Sequence, residues 1–194
     1  MSSGLVLLAC GGHGRVVLDA ALTAGLKVRG FVDIKAPADN VFGVPFLGGD
    51  DILEETDPLT TLLLNGFGFI KGKNLRKVQY DKWSSLGFKF HGILHPSVIL
   101  GRACSISSDS QLMAGSVLQT NVTVGANTVI NTGVTLDHDV SIGDHCFISP
   151  GVTVCGGVSV ADEVFVGAGA VLLPGTRVEA GTFIRAGSLV QTEN

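Results

Sequence analysis

From Val98 onward the apolar positions recur every six residues. Written in sixes, the segment reads VILGRA, CSISSD, SQLMAG, SVLQTN, VTVGAN, TVINTG, VTLDHD, VSIGDH, CFISPG, VTVCGG, VSVADE, VFVGAG, AVLLPG, TRVEAG, TFIRAG, SLV. The third residue is aliphatic in all sixteen, from Leu100 through Leu136 to Val190, and the first is small or β-branched. Neither a helical nor a plain strand period gives this pattern. Period six predicts a hexapeptide β-helix in which each hexad supplies a short strand and a turn. The third side chain points inward and stacks on its counterpart three hexads away, so one triangular coil takes about 18 residues and the array holds about five coils. Gly, Asn and Asp at the fourth to sixth places suit turns with unusual φ.

The first half follows a different pattern. Leu5 to Leu8 is a short apolar run, read as a buried strand. Arg15 to Ala24 is helical, with Val16, Val17, Ala20, Ala21 and Ala24 on one face and Gly25 as its C-cap. Val28 to Val32 is the next strand, Leu59 to Leu64 a third, and Asn74 to Leu86 a helix ending at Gly87. This predicts a small parallel α/β sheet opening on a βαβ unit. The boundary falls in Phe90 to Val98, around Pro96, giving domains 1–94 and 95–194.

Composition narrows the function. With 45% hydrophobic and 15% charged residues, the 194-residue chain has enough apolar content for a real core. A net charge of −4 and the absence of a basic cluster argue against nucleic-acid binding. The densest basic stretch, Lys71 to Lys82, reads as a solvated helix face. The run Leu5 to Cys10 is too short for a signal sequence or a membrane span, so a cytoplasmic protein is expected. Cys10, Cys104, Cys146 and Cys155 form no CxxC pair and read as buried, reduced thiols.

Two stretches carry chemistry. Gly11-Gly12-His13-Gly14 lies between a strand and a helix, where backbone N–H groups can approach a phosphate. Asp33 ends the second strand, a place from which a carboxylate can reach a ribose. Val17 stands where the dinucleotide fingerprint needs its third glycine, which disfavours NAD and leaves open a mononucleotide or a ligand-free turn. The second stretch is Asp137-His138-Asp139. Leu136 points inward, so His138 lies at a corner of the prism, with Thr120 and Gly156 one coil away, ~4.8 Å along the stack. Either aspartate could accept an imidazole N–H and make His138 a general base. The competing reading is an ordinary exposed turn. His91, His95, His138 and His145 show no close ligand spacing on one element, so no metal is expected, although a subunit-bridging zinc site stays open.

The βαβ domain with "CGGHGRVV", joined to hexads carrying "NTGVTLDHD", resembles the bacterial nucleotide-sugar acetyltransferases over Leu5 to Val190. These include N-acetyltransferases acting on UDP- or GDP-linked 4-amino-4,6-dideoxy sugars, such as the bacillosamine-pathway enzyme. Sialic acid O-acetyltransferases are close relatives. The resemblance implies a left-handed β-helix, a homotrimer with active sites in clefts between neighbouring prisms, and acetyl-CoA along the cleft near Gly156, Gly157, Ala168 and Ala186. It implies that Gly12, His13, Gly14 and Asp33 hold the nucleotide, with Gly66 and Gly68 of "LNGFGF" near its phosphates. It makes His138 the base, Asp139 its acidic partner and Asn131 a neighbour of the reacting groups. Two departures bear on the acetyl-CoA site: Phe147 stands where family members often carry a second histidine, and the sequence runs to "SLVQTEN" without the usual G-x-P-A-K tail.

The expected reaction is direct acetyl transfer to a sugar C4 amine, UDP-linked before GDP-linked. His138 takes the amine proton, and a backbone N–H such as that of Gly156 stabilises the oxyanion. An acyl-cysteine route through Cys146 or Cys155 lacks a neighbouring base. The alternatives are O-acetylation of a sialic acid or another sugar hydroxyl, a zinc hydratase of the γ-carbonic anhydrase kind, and a non-catalytic scaffold.

Overall fold

The computed structural model describes residues 4–36 and 41–191. Met1-Ser2-Ser3 and the final Thr192-Glu193-Asn194 of the "SLVQTEN" end lie outside them. The chain divides into two compact units, Met1–His91 and Gly92–Asn194.

The first unit is a five-stranded, all-parallel sheet of β1 (Gly4–Leu8), β2 (Val28–Val32), β3 (Phe46–Gly48), β4 (Thr61–Asn65) and β5 (Lys89–Phe90), in the order β3-β2-β1-β4-β5. Helices α1 (Gly12–Thr23), α2 (Asp51–Glu54) and α3 (Leu75–Ser85) lie in the connections. Strand order runs one way from β1 and the other way from β4. The topological switch point therefore falls between the carboxyl ends of these two strands, where open α/β sheets bind ligands.

Helix α1 starts three residues earlier than its hydrophobic pattern suggests, within the glycine turn itself. Its buried stripe is Gly14, Val17, Leu18 and Ala21, with Ala20 beside it, and Val16 faces out. The apolar face read from the sequence includes Val16 and omits Leu18, because the two flank Val17 symmetrically and the apolar pattern does not choose between them. The helix ends in a Schellman motif: Gly25, at φ 77°, donates to Leu22 O and Leu26 N–H donates to Ala21 O. The short β3, α2 and β5 are further elements that period reading did not show. Arg76, in the stretch read as a solvated face, is buried.

The second unit is a parallel β-helix of three sheets with six, five and six two-residue strands. Register is 18 residues throughout: Leu118 pairs with Leu136, Leu136 with Val154, and Val154 with Leu172. Each third-position residue from Leu112 to Ile184 is at most 7% exposed, and the first-position residues Val122, Val134, Val140, Val152, Val158 and Val164 fill the space between them. Burying each such side chain contributes about 1.5–3 kcal/mol against the entropy of ordering it. The coil begins one hexad before Val98, because Ile93–Leu94 already pairs with Gln111–Leu112.

The unusual φ belongs to the sixth place. Residues there from Ala103 to Gly187, except Asp109, lie in the left-handed region, including Asn121, Asn127, Asp139 and His145. That is why Gly, Asn and Asp concentrate at that place. Of the cysteines, Cys10 and Cys146 are buried; Cys104 and Cys155 are only half-buried, because the first and fourth places differ in depth at the ends and corners of the prism.

Candidate active site

Residues 18 apart share a corner of the prism, so the triplet Asp137-His138-Asp139 stacks between Gln119-Thr120-Asn121 and Cys155-Gly156-Gly157. The backbone fixes the stack: Asp139 N–H donates to Thr120 O at 3.1 Å, and Gly157 N–H donates to His138 O at 2.9 Å. His138 Nδ1 lies 2.8 Å from Asp139 Oδ2. Asn121 Nδ2 donates to Asp139 Oδ1 at 2.7 Å, and Asp137 Oδ1 accepts the His138 N–H at 2.8 Å.

An ionised carboxylate only accepts hydrogen bonds, so in the neutral ring Nδ1 carries the proton and Nε2 keeps its lone pair. The ring passes over Gly156. A Cβ built there would fall 2.5 Å from Nε2 and 2.6 Å from Cε1. Gly156 is therefore the residue that lets the imidazole sit where it does.

The pair titrates in opposite directions. The hydrogen bond to Asp139, then the charge of Asp137, raises the His138 pKa above the ordinary histidine value. The hydrogen bonds from Asn121 and then from His138 hold Asp139 below the usual carboxylate range. Both side chains are more than half exposed, so this is a screened pair whose value lies in orientation and basicity rather than in fold stability.

Among the described residues, no hydrogen bond engages Gly156 N–H, whereas its neighbour Gly157 N–H is taken. The N–H groups of Ala168 and Ala186 are likewise unengaged, at the corner shared with Asn131. Asn131 itself is buried and turns its Oδ1 onto Thr132 N–H at 2.8 Å. The structure thus brings His138, Asp139, Gly156 and Gly157 together at one corner, and places Asn131, Ala168 and Ala186 at the next.

Phe147 faces outward from a strand and heads a ladder with Phe165 and Phe183, ring centroids 6.0 and 4.9 Å apart. His145 Nδ1 lies 3.0 Å from Asn127 Nδ2 at the third corner, and His95 Nδ1 lies 2.7 Å from Ser97 Oγ. Among the described residues no three His, Cys, Asp or Glu side chains come together to hold a metal ion. Cys146 is fully buried, and burial pushes its thiol up to about 12, so it is no nucleophile near neutral pH.

In the first unit, the switch point is lined by the two glycine segments. Gly14 has no room for a Cβ against Ala9 O, nor has Gly66 against Ala9 O and Leu8 O. A Cβ on Gly68 would meet that of His13 at 3.0 Å. Gly11 and Gly12 face open space. Helix α1 has no side-chain cap and no acidic residue in its first turn, which leaves its N-terminal N–H groups for an anion. Asp33 ties the ends of β1 and β2 together by accepting Cys10 N–H at 2.8 Å and Ile34 N–H at 2.7 Å.

Sequence reasoning missed Asn121, although the 18-residue register pointed to it. It also missed Arg76 and Asn65, which no period reveals.

The comparisons agree with this layout. The PglD N-terminal domain family matches residues 4–63, and the bacterial transferase hexapeptide (six repeats) matches 124–156 and 139–174. A comparison with curated proteins gave no significant match. Among solved structures, PerB from Caulobacter crescentus, in complex with CoA and GDP-perosamine, is 32% identical with a TM-score of 0.85, over 97% of this chain and 89% of that one. A histidine-to-asparagine variant of perosamine N-acetyltransferase from the same organism, also with CoA and GDP-perosamine, is 31% identical at 0.84 over the same shares. The acetyltransferase domain of PglB from Neisseria gonorrhoeae, with acetyl coenzyme A, is 27% identical at 0.87, over 98% and 91%. With a PglD-type α/β domain leading into a hexapeptide β-helix, the chain belongs to the nucleotide-amino-sugar N-acetyltransferase family.

Proposed function

We propose that the protein transfers the acetyl group of acetyl-CoA directly to the C4 amine of a nucleotide-linked 4-amino-4,6-dideoxy sugar, with His138 as general base. The observation that carries this reading is the oriented imidazole: Nδ1 on Asp139, Nε2 open above Gly156. Nε2 takes the proton as the amine attacks the thioester, and Asp139 steadies the imidazolium. The unengaged Gly156 N–H is placed to receive the developing oxyanion.

The switch point of the first unit takes the nucleotide. Gly12, His13 and Gly14, at the uncapped start of α1, face the diphosphate, and Gly66 and Gly68 line the opposite side. Asp33, with its oxygens on two backbone N–H groups, offers its remaining lone pairs to a ribose hydroxyl. Acetyl-CoA runs along the prism past Gly156, Gly157, Ala168 and Ala186, a path supported by the unengaged N–H groups of Ala168 and Ala186, and Phe147 lies along the same path.

Asn131, Ala168 and Ala186 occupy a different corner from His138. A cleft built between two copies brings such corners together, which supports a homotrimer. UDP is the first nucleotide to test. GDP is the second, favoured by the GDP-perosamine bound to the two perosamine N-acetyltransferase structures.

The test is the His138→Ala variant, assayed for CoA release and sized in solution. Loss of most turnover from an intact oligomer supports the base role; turnover near wild type removes it.

A further inference from the structure

Arg76, in the first turn of α3, is 5% exposed. Its Nη1 donates to Asn65 O and to Phe67 O, each at 3.0 Å. In return Asn65 Nδ2 donates to Arg76 O at 3.1 Å, and Asn65 Oδ1 accepts the Phe67 N–H at 3.2 Å. These four bonds close around Gly66, whose own N–H donates to Leu8 O at 2.9 Å. The backbone leaving β4 is therefore pinned on both sides just before Gly68 meets His13 of the glycine turn.

A buried guanidinium is costly unless its hydrogen bonds are made, and a bulky apolar side chain would fill the same space without that cost. What an arginine adds here is one Nη1 that holds two carbonyls at once, on a planar guanidinium whose positive charge lies at the carboxyl edge of the sheet, where the field is weakly screened.

We infer that Arg76 is a positioning residue for the diphosphate of the nucleotide sugar: it fixes the Asn65-Gly66-Phe67 turn against the glycine turn and sets a buried positive charge behind the phosphate subsite. The inference rests on the switch point being the nucleotide site. Arg76 lies in the loop and helix that follow β4, so it acts on the nucleotide side of the reaction and leaves the His138 chemistry unchanged.

The experiment is calorimetric titration of UDP and GDP into the wild type, Arg76→Met, Arg76→Lys and Asn65→Ala, with steady-state kinetics alongside. Arg76→Met is expected to weaken nucleoside-diphosphate binding and raise the nucleotide-sugar KM tenfold or more. Its kcat and acetyl-CoA KM should stay within twofold. Arg76→Lys, keeping the charge without the planar guanidinium that reaches both carbonyls, should fall between, and Asn65→Ala should raise the same KM three- to tenfold. A fall in kcat at unchanged KM would assign Arg76 a purely structural role, and wild-type affinity in both Arg76 variants would overturn the inference. If Arg76→Met loses the signal of buried Trp83, Arg76→Lys and Asn65→Ala decide by the same measures. A wild type that binds neither UDP nor GDP would instead overturn the nucleotide site itself.

Discussion

Gly156→Ala should disable the enzyme while leaving its fold alone. The added Cβ would lie 2.5 Å from His138 Nε2, and ordinary contact begins near 3.4 Å, so the ring must retreat by about 0.9 Å. Gly156 does not lie in the left-handed region, unlike Gly157 at φ 69°, so alanine fits its backbone. The ring is exposed and free to swing, but swinging disturbs the 2.8 Å bond between Nδ1 and Asp139. A displacement of about 1 Å at a reacting group costs on the order of 100-fold in rate. The expected result is a 30- to 100-fold fall in kcat/KM by CoA release, with an unchanged melting temperature. The variant should also bring the basicity of His138 back toward the ordinary value, moving the rising limb of the pH profile down. Wild-type kcat/KM in Gly156→Ala would refute the assigned position of the base.

Other outcomes follow from the same geometry. A base must be neutral to work, so kcat/KM should rise with pH through the raised pKa of His138. Asp139→Asn, which removes the carboxylate but suits a left-handed φ of 60°, should shift that limb to lower pH and depress the plateau; an unmoved limb would break the link to Asp139. Cys146→Ala should keep activity within twofold, since a buried thiol pushed up to about 12 carries no acyl group; abolished turnover in the folded variant would revive the acyl-cysteine route. Gly14→Ala sets a Cβ against Ala9 O, which is backbone and cannot yield, and should cost about 1–3 kcal/mol or more in denaturant unfolding followed through Trp83. An unchanged midpoint would contradict that packing.

Much of this was legible in the sequence. The aliphatic third place of each hexad gave the inward column, and the 18-residue coil placed Gly156 beside His138. The same arithmetic points to Asn121, one coil before Asp139, but the sequence reading applies it only to His138 and sets Asn131 beside the reacting groups, although neighbouring hexads turn different corners. The first unit was harder. Its β3 has three residues and its α2 four, too short for any period to emerge. Val16 and Leu18 are both apolar and flank Val17 by the same angle on opposite sides, so only the packing of α1 decides which is covered. Arg76 sits among Lys71, Lys73 and Lys77 in sequence, and nothing in that run shows that one of its cations turns inward. The role of Asp33 in joining two strands depends on a parallel register that sequence does not print.

The most direct measurement is thiol release from acetyl-CoA against a panel of UDP- and GDP-linked 4-amino-4,6-dideoxy sugars, with the product identified by mass and NMR. The account predicts CoA release with a nucleotide-linked amino sugar and a new amide at C4. Release only with a sugar lacking that amine, or none across the panel from a well-folded oligomer, would contradict it.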